Sequence, residues 1–326
     1  MEKTKDELKH LRKRFVSDMN LPIQVVQSPY FEERLKLLEE EYSANTKYEN
    51  LLKVIDNDFQ GNINEFLKYY NFTRDEIINT LKTTQAYYDF SVGKIGKFRD
   101  DITWIGQRNL YTQEQDGGLF ISFDMKKANF QTLRYVSKDL MLGYDTYEDL
   151  IDSFTHYDYI KESKYTRQVI FGQLNPKKTM RIEHEITTML AHALINREYG
   201  DLIDMSKFNV FSVNSDEVIF KFNGAIQELD NLHNLNDFVY EGVTFRFNKF
   251  QLRHRQFKLA TSDSKLNVFE KVDFINGHRT HLHCVPATYY PQVYKLLGGM
   301  EIKPSDLVFY YEHELCQFMN PIELVK

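Results

Sequence analysis

Cysteine, glycine and proline are scarce in this chain of 326 residues, and each scarcity excludes a class of protein. The two cysteines, Cys284 and Cys316, cannot form the set of disulfides that stabilises small secreted domains. The 14 glycines and 7 prolines are about half of ordinary usage, which excludes collagen-like and linker-dominated chains. Apolar residues make up 42% of the chain, enough for one large core or two smaller ones.

Long hydrophobic runs and a strong charge imbalance are also missing. No segment approaches the roughly twenty apolar residues of a membrane-spanning helix, and the polar start MEKTKDELKH lacks the apolar stretch of a secretion signal. We therefore expect a cytoplasmic protein that has no membrane partner. The formal net charge of −6 argues against general electrostatic attraction to nucleic acid, although a local basic surface remains compatible with it.

Helical periodicity dominates residues 1–115, where apolar side chains recur every three or four positions. Pro22 and Pro29 are expected to separate the first helix from the second. Thr73 and Glu76 have the spacing of a capping box, which predicts that a further helix begins there. We interpret this part as a helical N-terminal region.

Residues 116–242 combine strand and helix patterns. The apolar run LFISF follows a Gly-Gly turn and predicts a strand that ends at Asp124, followed by a helical pattern that continues to Gly143. Two further apolar runs flank the turn-forming sequence NSDE, which predicts a hairpin with Asp216 and Glu217 at its tip.

Residues 243–326 mix strand patterns with a short helix. Together the three regions predict an α+β fold, in which helices pack on an antiparallel sheet between a helical N-terminal region and a small mixed C-terminal region. We take residues 116–242 as the core of this arrangement.

The acidic residues of the core have the pattern of a site for two divalent metal ions. Asp124 ends one predicted strand, and Asp216 and Glu217 lie 92 and 93 positions later in a hairpin. Hard divalent ions prefer oxygen ligands, and two ions about 4 Å apart need carboxylates from separate strands. The hypothesis requires that these strands be neighbours.

Three segments resemble the motifs of palm-domain nucleic acid polymerases, in the same order: SFDMKKANFQTLR resembles motif A, YTRQVIFGQ motif B and FSVNSDEVIF motif C. The resemblance is closest to family A DNA polymerases and single-subunit phage RNA polymerases, and covers residues 119–222. It implies a palm-type sheet, with Asp124 and Asp216 binding two Mg²⁺ or Mn²⁺ ions and Glu217 assisting them.

The same resemblance implies a nucleotide-binding site. Arg167 would contact the triphosphate, Phe171 would pack against the base, and Asn129 falls where the family discriminates ribose from deoxyribose. Lys161 and Lys164 would add phosphate contacts. The activity implied is that of a small template-dependent nucleotidyltransferase acting on primed nucleic acid and nucleoside triphosphates. Viral replication or repair in the host cytoplasm would suit it, with a protein partner supplying thumb or processivity functions.

Departures from the family keep other interpretations open. The family has Lys where Arg167 stands and Tyr where Asn175 falls. A second resemblance, of SDEVIFKF, is to the tRNA-His guanylyltransferase family of 3′-to-5′ polymerases, although that family has Gly where Met125 stands. A noncatalytic nucleic-acid-binding or scaffold protein that has kept a palm shape is a further alternative.

A basic segment follows the core. Its cations alternate with phenylalanines, which predicts a strand with a basic outer face and an apolar inner face, the form of a groove that follows a nucleic acid backbone. The alternative is an ordinary solvated face. The residues of the predicted groove are Arg246, Lys249, Arg253, Arg255 and Lys258.

Histidines and cysteines concentrate near the C-terminus, where His313 and Cys316 have a spacing that allows both to bind one zinc ion. The others are His278, His281, His283 and Cys284. Strand alternation sends His281 and His283 to one face and Cys284 to the other, so packed or surface residues are the simpler interpretation.

Overall fold

The computed structural model describes residues 4–93, 108–196, 198–199, 203–228, 237–259, 264–273, 277–312 and 314–325. Helices occupy most of the described chain before residue 208, and strands occupy most of it afterwards. The predicted α+β class is therefore confirmed. No helix of the described ranges is long and apolar enough to cross a membrane.

The helices are α1 (Lys5–Asp18), α2 (Tyr30–Leu37), α3 (Glu39–Tyr42), α4 (Ala44–Asp58), α5 (Ile63–Lys82), α6 (Gln85–Val92), α7 (Ala128–Val136), α8 (Tyr147–Asp152), α9 (Asp158–Glu162), α10 (Lys164–Gly172), α11 (Pro176–Ile195) and α12 (Tyr290–Leu297). The strands are β1 (Leu119–Met125), β2 (Phe208–Val213), β3 (Glu217–Phe222), β4 (Asp237–Tyr240), β5 (Val243–Lys258), β6 (Lys265–Val272), β7 (Arg279–His283), β8 (Val308–Tyr311), β9 (Glu314–Gln317) and β10 (Glu323–Leu324).

The helix boundaries agree with the sequence in part. Helix α1 ends before Pro22, and α2 begins directly after Pro29, as predicted. The predicted start at Thr73 is wrong, because Thr73 is buried in the middle of α5, whose first turn is capped by the side chain of Asn62. The helical pattern expected to reach Gly143 also ends earlier, when α7 gives way to a short 3₁₀ helix.

The sheet has the strand order β2-β3-β1-β5-β6-β7, and β4 and β10 also pair with β5. All of these pairs are antiparallel. Strands β1 and β2 therefore run parallel to each other on either side of β3, and helices α7 to α11 connect them. This crossover brings the end of β1 beside the tip of the β2–β3 hairpin.

The two faces of the sheet have different partners. Ile121 and Phe123 of β1 belong to the large buried cluster that also contains side chains of α1, α5 and α11. Phe120 points the other way and belongs to a smaller cluster with Leu110 and Phe211. Asp124, which shares its face with Phe120, thus lies on the side of the sheet opposite the main helical layer.

The sheet continues across the predicted boundary at residue 242. Strand β5 pairs with β1 from Phe245 to Gln251, and the large buried cluster includes both N-terminal residues such as Leu11 and residues of α12 such as Tyr294. The N-terminal helices and β5 therefore share one core with the strands that carry the acidic residues.

Candidate active site

Carboxylates from β1 and β3 lie side by side at one end of the sheet. Asp124 is directly opposite Glu217 on β3, with Arg246 of β5 on its other side. The amide of Met125 donates a hydrogen bond of 2.7 Å to the carbonyl of Asp216, which fixes the hairpin tip against β1. Side chains directly opposite each other in such a pair have Cβ atoms about 5 Å apart, so the structure brings Asp124 and Glu217 together.

Asp124 carries an unfavourable charge in this arrangement. Burial, followed by the charges of Glu217 and Asp216, raises the pKa of its carboxyl group to about 6, whereas Arg246 and Lys271 oppose the shift. Lys271 comes from β6, and its Nζ lies 4.0 Å from Oε1 of Glu217. The carboxylates thus outweigh the nearby cations, and a further positive charge would stabilise them.

Helix α11 supports the hairpin tip from below and adds a carboxyl group that the sequence argument missed. Thr187 donates a hydrogen bond of 2.9 Å to the carbonyl of Ser215. Glu183, one turn earlier, is only 4% exposed, and its Oε1 has no hydrogen-bond partner among the described residues. Burial, followed by the charge of Asp216, raises the pKa of Glu183 to about 7. Glu183 lies on the apolar face of α11, between Ile182 and Ile186, and a charged residue on such a face was the available signal.

We expect Glu183→Gln to stabilise the metal-free protein in a pH-dependent manner. The folded-state pKa of Glu183 lies above its ordinary value of 4.5, so the stability contributed by this group is lost as the pH rises towards 7. At pH 8 the variant should gain on the order of 2 kcal/mol in the free energy of unfolding, and at pH 4 it should gain nothing. Urea unfolding at both pH values measures this. Glu185→Gln, on the same helix, is the matched control, and an equal gain at both pH values would contradict the account.

A cleft of about 590 Å³ opens over the carboxylates, on the side of the sheet away from the main helices. Its acidic end contains Asp124 and Glu217. Its other side contains Tyr111, which stacks on His283 with ring centroids 4.4 Å apart. Burial lowers the pKa of His283 to about 3, so its imidazole is neutral at physiological pH. The cleft therefore combines carboxylates, cations and an aromatic surface of the kind on which nucleobases stack.

The predicted basic groove is only partly assembled. Arg246 and Lys249 line the cleft, and Asn248 shares the face of Arg246, as strand alternation requires. Arg253 and Arg255 do not line the cleft, and Arg255 pairs with Glu270 of β6 at 2.8 Å.

Lys258 also lies apart from the cleft. It is at the far end of β5, twelve positions and roughly 40 Å along the strand from Arg246, opposite Glu323 of β10. The structure thus brings two of the five predicted cations, Arg246 and Lys249, to the lining of the cleft.

The predicted phosphate contacts differ in their surroundings. Arg167 of α10 is half-buried, and its guanidinium lies over the ring of Tyr147, 5.8 Å from the centroid. Lys164 is exposed in the first turn of α10. Lys161 is held by Asp152 and Asp158, at 2.7 and 2.8 Å, so its charge is already compensated. Among these three cations, Arg167 has the surroundings best suited to an added anion.

Phe171 and Asn129 were predicted to contact the base and the sugar of a nucleotide. Phe171 is only 1% exposed and packs against Phe130 and Tyr147 in the core, so its ring has no exposed surface on which a base could pack. This placement corrects the sequence interpretation, because Phe171 turns towards the apolar side of α10. Asn129 is half-buried in the first turn of α7.

The histidines and cysteines that the structure describes near the C-terminus form no zinc site. His281 and His283 lie on the same face of β7, 6.0 Å apart between ring centroids, and point into the cleft described above. His313 lies outside the described residues. Among the residues that are described, no group of three or more histidine, cysteine or acidic side chains is arranged to hold a metal ion.

The carboxylates nevertheless have the chemistry that Mg²⁺ requires. This ion is usually bound by one or two protein carboxylates together with water and substrate phosphates, so a site formed by protein ligands alone is not needed. Asp124 and Glu217 are two carboxylates on adjacent strands that could serve as such ligands, with Asp216 within electrostatic reach of Asp124. The raised pKa of the Asp124 carboxyl group reflects an unfavourable charge that a divalent cation would compensate.

Comparison of the chain with protein-family models, with curated proteins and with solved structures finds no match.

Proposed function

We propose that this protein is a template-dependent nucleotidyltransferase that uses the carboxylates at the end of β1 and β3 with divalent metal ions. The observation that carries the proposal is the register that sets Asp124 directly opposite Glu217, with the backbone of Asp216 bonded to that of Met125. Residues 92 positions apart in the chain thus meet at one point. Their convergence supports the resemblance to palm-domain polymerases.

The chemistry proposed follows from the surroundings of these residues. Phosphoryl transfer depends on positioning and on compensation of negative charge more than on covalent help from the protein. Asp124 and Glu217, with Asp216 nearby, would hold Mg²⁺ ions, whose chemistry is to compensate phosphate charge. In the reaction proposed, the 3′ oxygen of the primer bonds to the α-phosphorus of the nucleoside triphosphate, and pyrophosphate leaves. Arg167 would orient the triphosphate, and the cleft with Tyr111 and His283 would hold the nucleic acid strand.

The partners proposed are primed nucleic acid and nucleoside triphosphates. A second protein that supplies thumb or processivity functions, and a role in viral replication or repair, belong to the same proposal. They rest on the resemblance of residues 119–222, and the cation-lined cleft supports the nucleic acid partner.

The test is incorporation of each labelled nucleotide into primed DNA, primed RNA and unprimed single strands, with Mg²⁺ or Mn²⁺. We expect incorporation on a primed template that stops when the metal is chelated. Failure with every template and metal would contradict the proposal. Transfer to the 5′ end of an RNA would instead support the 3′-to-5′ polymerases as the nearer relatives.

A noncatalytic nucleic-acid-binding protein is the second candidate, because Lys271 partly compensates Glu217 and because Arg246, Lys249 and Tyr111 line the cleft. Salt-dependent binding of single strands without incorporation would favour it. The same titration with Arg246→Gln tests whether the cleft is the surface involved.

A further inference from the structure

Two cations converge on one buried aromatic ring beside the acidic residues. The Nζ of Lys127 lies 5.3 Å, and the guanidinium carbon of Arg167 5.8 Å, from the centroid of the Tyr147 ring. Tyr147 is 1% exposed and is fixed by contacts with Phe130 and Phe171. A rigid ring thus holds two like charges close together.

The charges of this cluster are not balanced. Arg167 makes no ion pair with a carboxylate in the part of the chain that the structure describes, although it is half-buried. Lys127 pairs with Glu148, the residue after Tyr147 on α8. Burial, followed by the charges of Arg167 and Lys126, lowers the pKa of Lys127 to about 8. Half-buried cations of this kind are stabilised by an added anion.

The position of Lys127 relates this cluster to the acidic residues. Lys127 has a positive φ of 50° in the turn between β1 and α7, three positions after Asp124. Three residues span at most about 10 Å, so the backbone of Lys127 lies within that distance of Asp124. Glu148, in contrast, has a side chain that is 51% exposed and can therefore move into solvent at little cost.

We propose that Lys127 and Arg167 form a binding site for a polyphosphate chain, and that Glu148 occupies Lys127 until the phosphates displace it. The guanidinium of Arg167 can donate two parallel hydrogen bonds to phosphate oxygens, and the ammonium of Lys127 serves as a second point charge. A chain of linked phosphates can reach both cations. Its identity as the triphosphate of a nucleotide rests on the proposed function.

The test is calorimetric titration of the full chain with inorganic tripolyphosphate, without metal and at low salt. We expect Lys127→Gln to weaken binding at least 10-fold. Glu148→Gln should tighten it several-fold, because the competing carboxylate is removed. Asp145→Asn is the matched control, since Asp145 pairs with Lys138 and Arg134 outside the cluster. It should bind as the wild type does.

Two results would overturn the inference: wild-type affinity in Lys127→Gln, or weaker binding in Glu148→Gln. Circular dichroism of each variant checks that it is folded, and Lys127→Arg, which keeps the charge, should retain most of the affinity. Because this titration needs neither metal nor template, its outcome is separate from nucleotide incorporation. Tripolyphosphate binding with the expected pattern in a protein that incorporates nothing would leave this site standing and reject the proposed function alone.

Discussion

Replacing Asp124 with asparagine is expected to reduce nucleotide incorporation at least about 1000-fold, while the metal-free protein becomes more stable at pH 7.5. Loss of the carboxylate would remove a proposed ligand of the divalent ions, and a 1000-fold change in rate corresponds to about 4 kcal/mol of transition-state stabilisation. In the metal-free protein the same charge is unfavourable, because burial and then Glu217 and Asp216 raise the pKa of Asp124 to about 6. One substitution should therefore move activity and stability in opposite directions.

The pH dependence of this gain follows from the direction of the pKa shift. The folded-state pKa of Asp124 lies above its ordinary value of 3.8, so the stability contributed by this carboxyl group is present below pH 4 and is lost as the pH rises through 6. Asparagine does not ionise, so its advantage in stability over the wild type should grow from about pH 4 and level off above pH 6. Thermal unfolding in the presence of a chelator, at pH 4 and pH 7.5, measures the difference.

Asp237→Asn is the matched control for this experiment. Asp237 lies opposite Arg246 in the same row across the sheet, but it pairs with Lys126 at 2.6 Å and has no part in the proposed chemistry. It should retain incorporation within a few-fold of the wild type. Undiminished incorporation by Asp124→Asn would show that Asp124 holds no essential metal ion, whatever happens to stability.

The strands that carry the acidic residues could be predicted because their signals are local. The apolar run before Asp124 and the turn formers around Asp216 depend only on nearby residues, and β1 and the β2–β3 hairpin form where they were expected. That Asp124 faces Glu217 depends on pairing between distant segments. The hypothesis drawn from the residues alone required only that the strands be neighbours. The expected arrangement of the acidic residues came from the resemblance to palm-domain polymerases.

The predicted basic groove assembled incompletely because β5 changes its buried face along its length. Phe245 and Phe247 face the main helical core, whereas Phe250 and Leu252 face the smaller cluster that contains Leu110. The face of β5 that is apolar in the first part of the strand is therefore not the apolar face of the second part, although side chains continue to alternate between the two faces. Which residues cover each face of β5 depends on the tertiary structure and cannot be predicted from the sequence pattern of the strand alone.

The burial of Phe171 and Glu183 could not be derived from motif spacing for the same reason. Motif spacing gives the order of residues along a helix, but the side that a helix buries depends on its neighbours. Helix α10 turns Phe171 onto Phe130 and Tyr147, and α11 turns Glu183 under the hairpin tip. Both helices were expected, although their orientation was not.

A buried polar network links α1 to the start of α10, the helix that carries Arg167. Asp18 is completely buried, and its carboxylate accepts hydrogen bonds from the hydroxyl groups of Tyr70, at 2.9 Å, and Tyr159, at 2.7 Å, and from Arg14. The hydroxyl group of Tyr70 in turn contacts Ser163, which is the N-cap residue of α10, and Thr166, which lies in the first turn of that helix. The carboxylate of Asp18 therefore supports α5, α9 and α10 at once.

Removing this carboxylate with Asp18→Ala is expected to cost about 3–5 kcal/mol in the free energy of unfolding, because buried hydroxyl groups and the Arg14 charge lose their partner. Asp18→Asn should cost less, since the amide oxygen remains an acceptor. Urea unfolding measures both, with the exposed Lys9→Ala on the same helix as the control. A loss below about 1 kcal/mol in Asp18→Ala would mean that the network is not a major source of stability.

Because the network also fixes the start of α10, a destabilised but folded Asp18→Asn should bind tripolyphosphate more weakly than Lys9→Ala does. Unchanged binding would show instead that Arg167 is positioned by Tyr147 and the core alone.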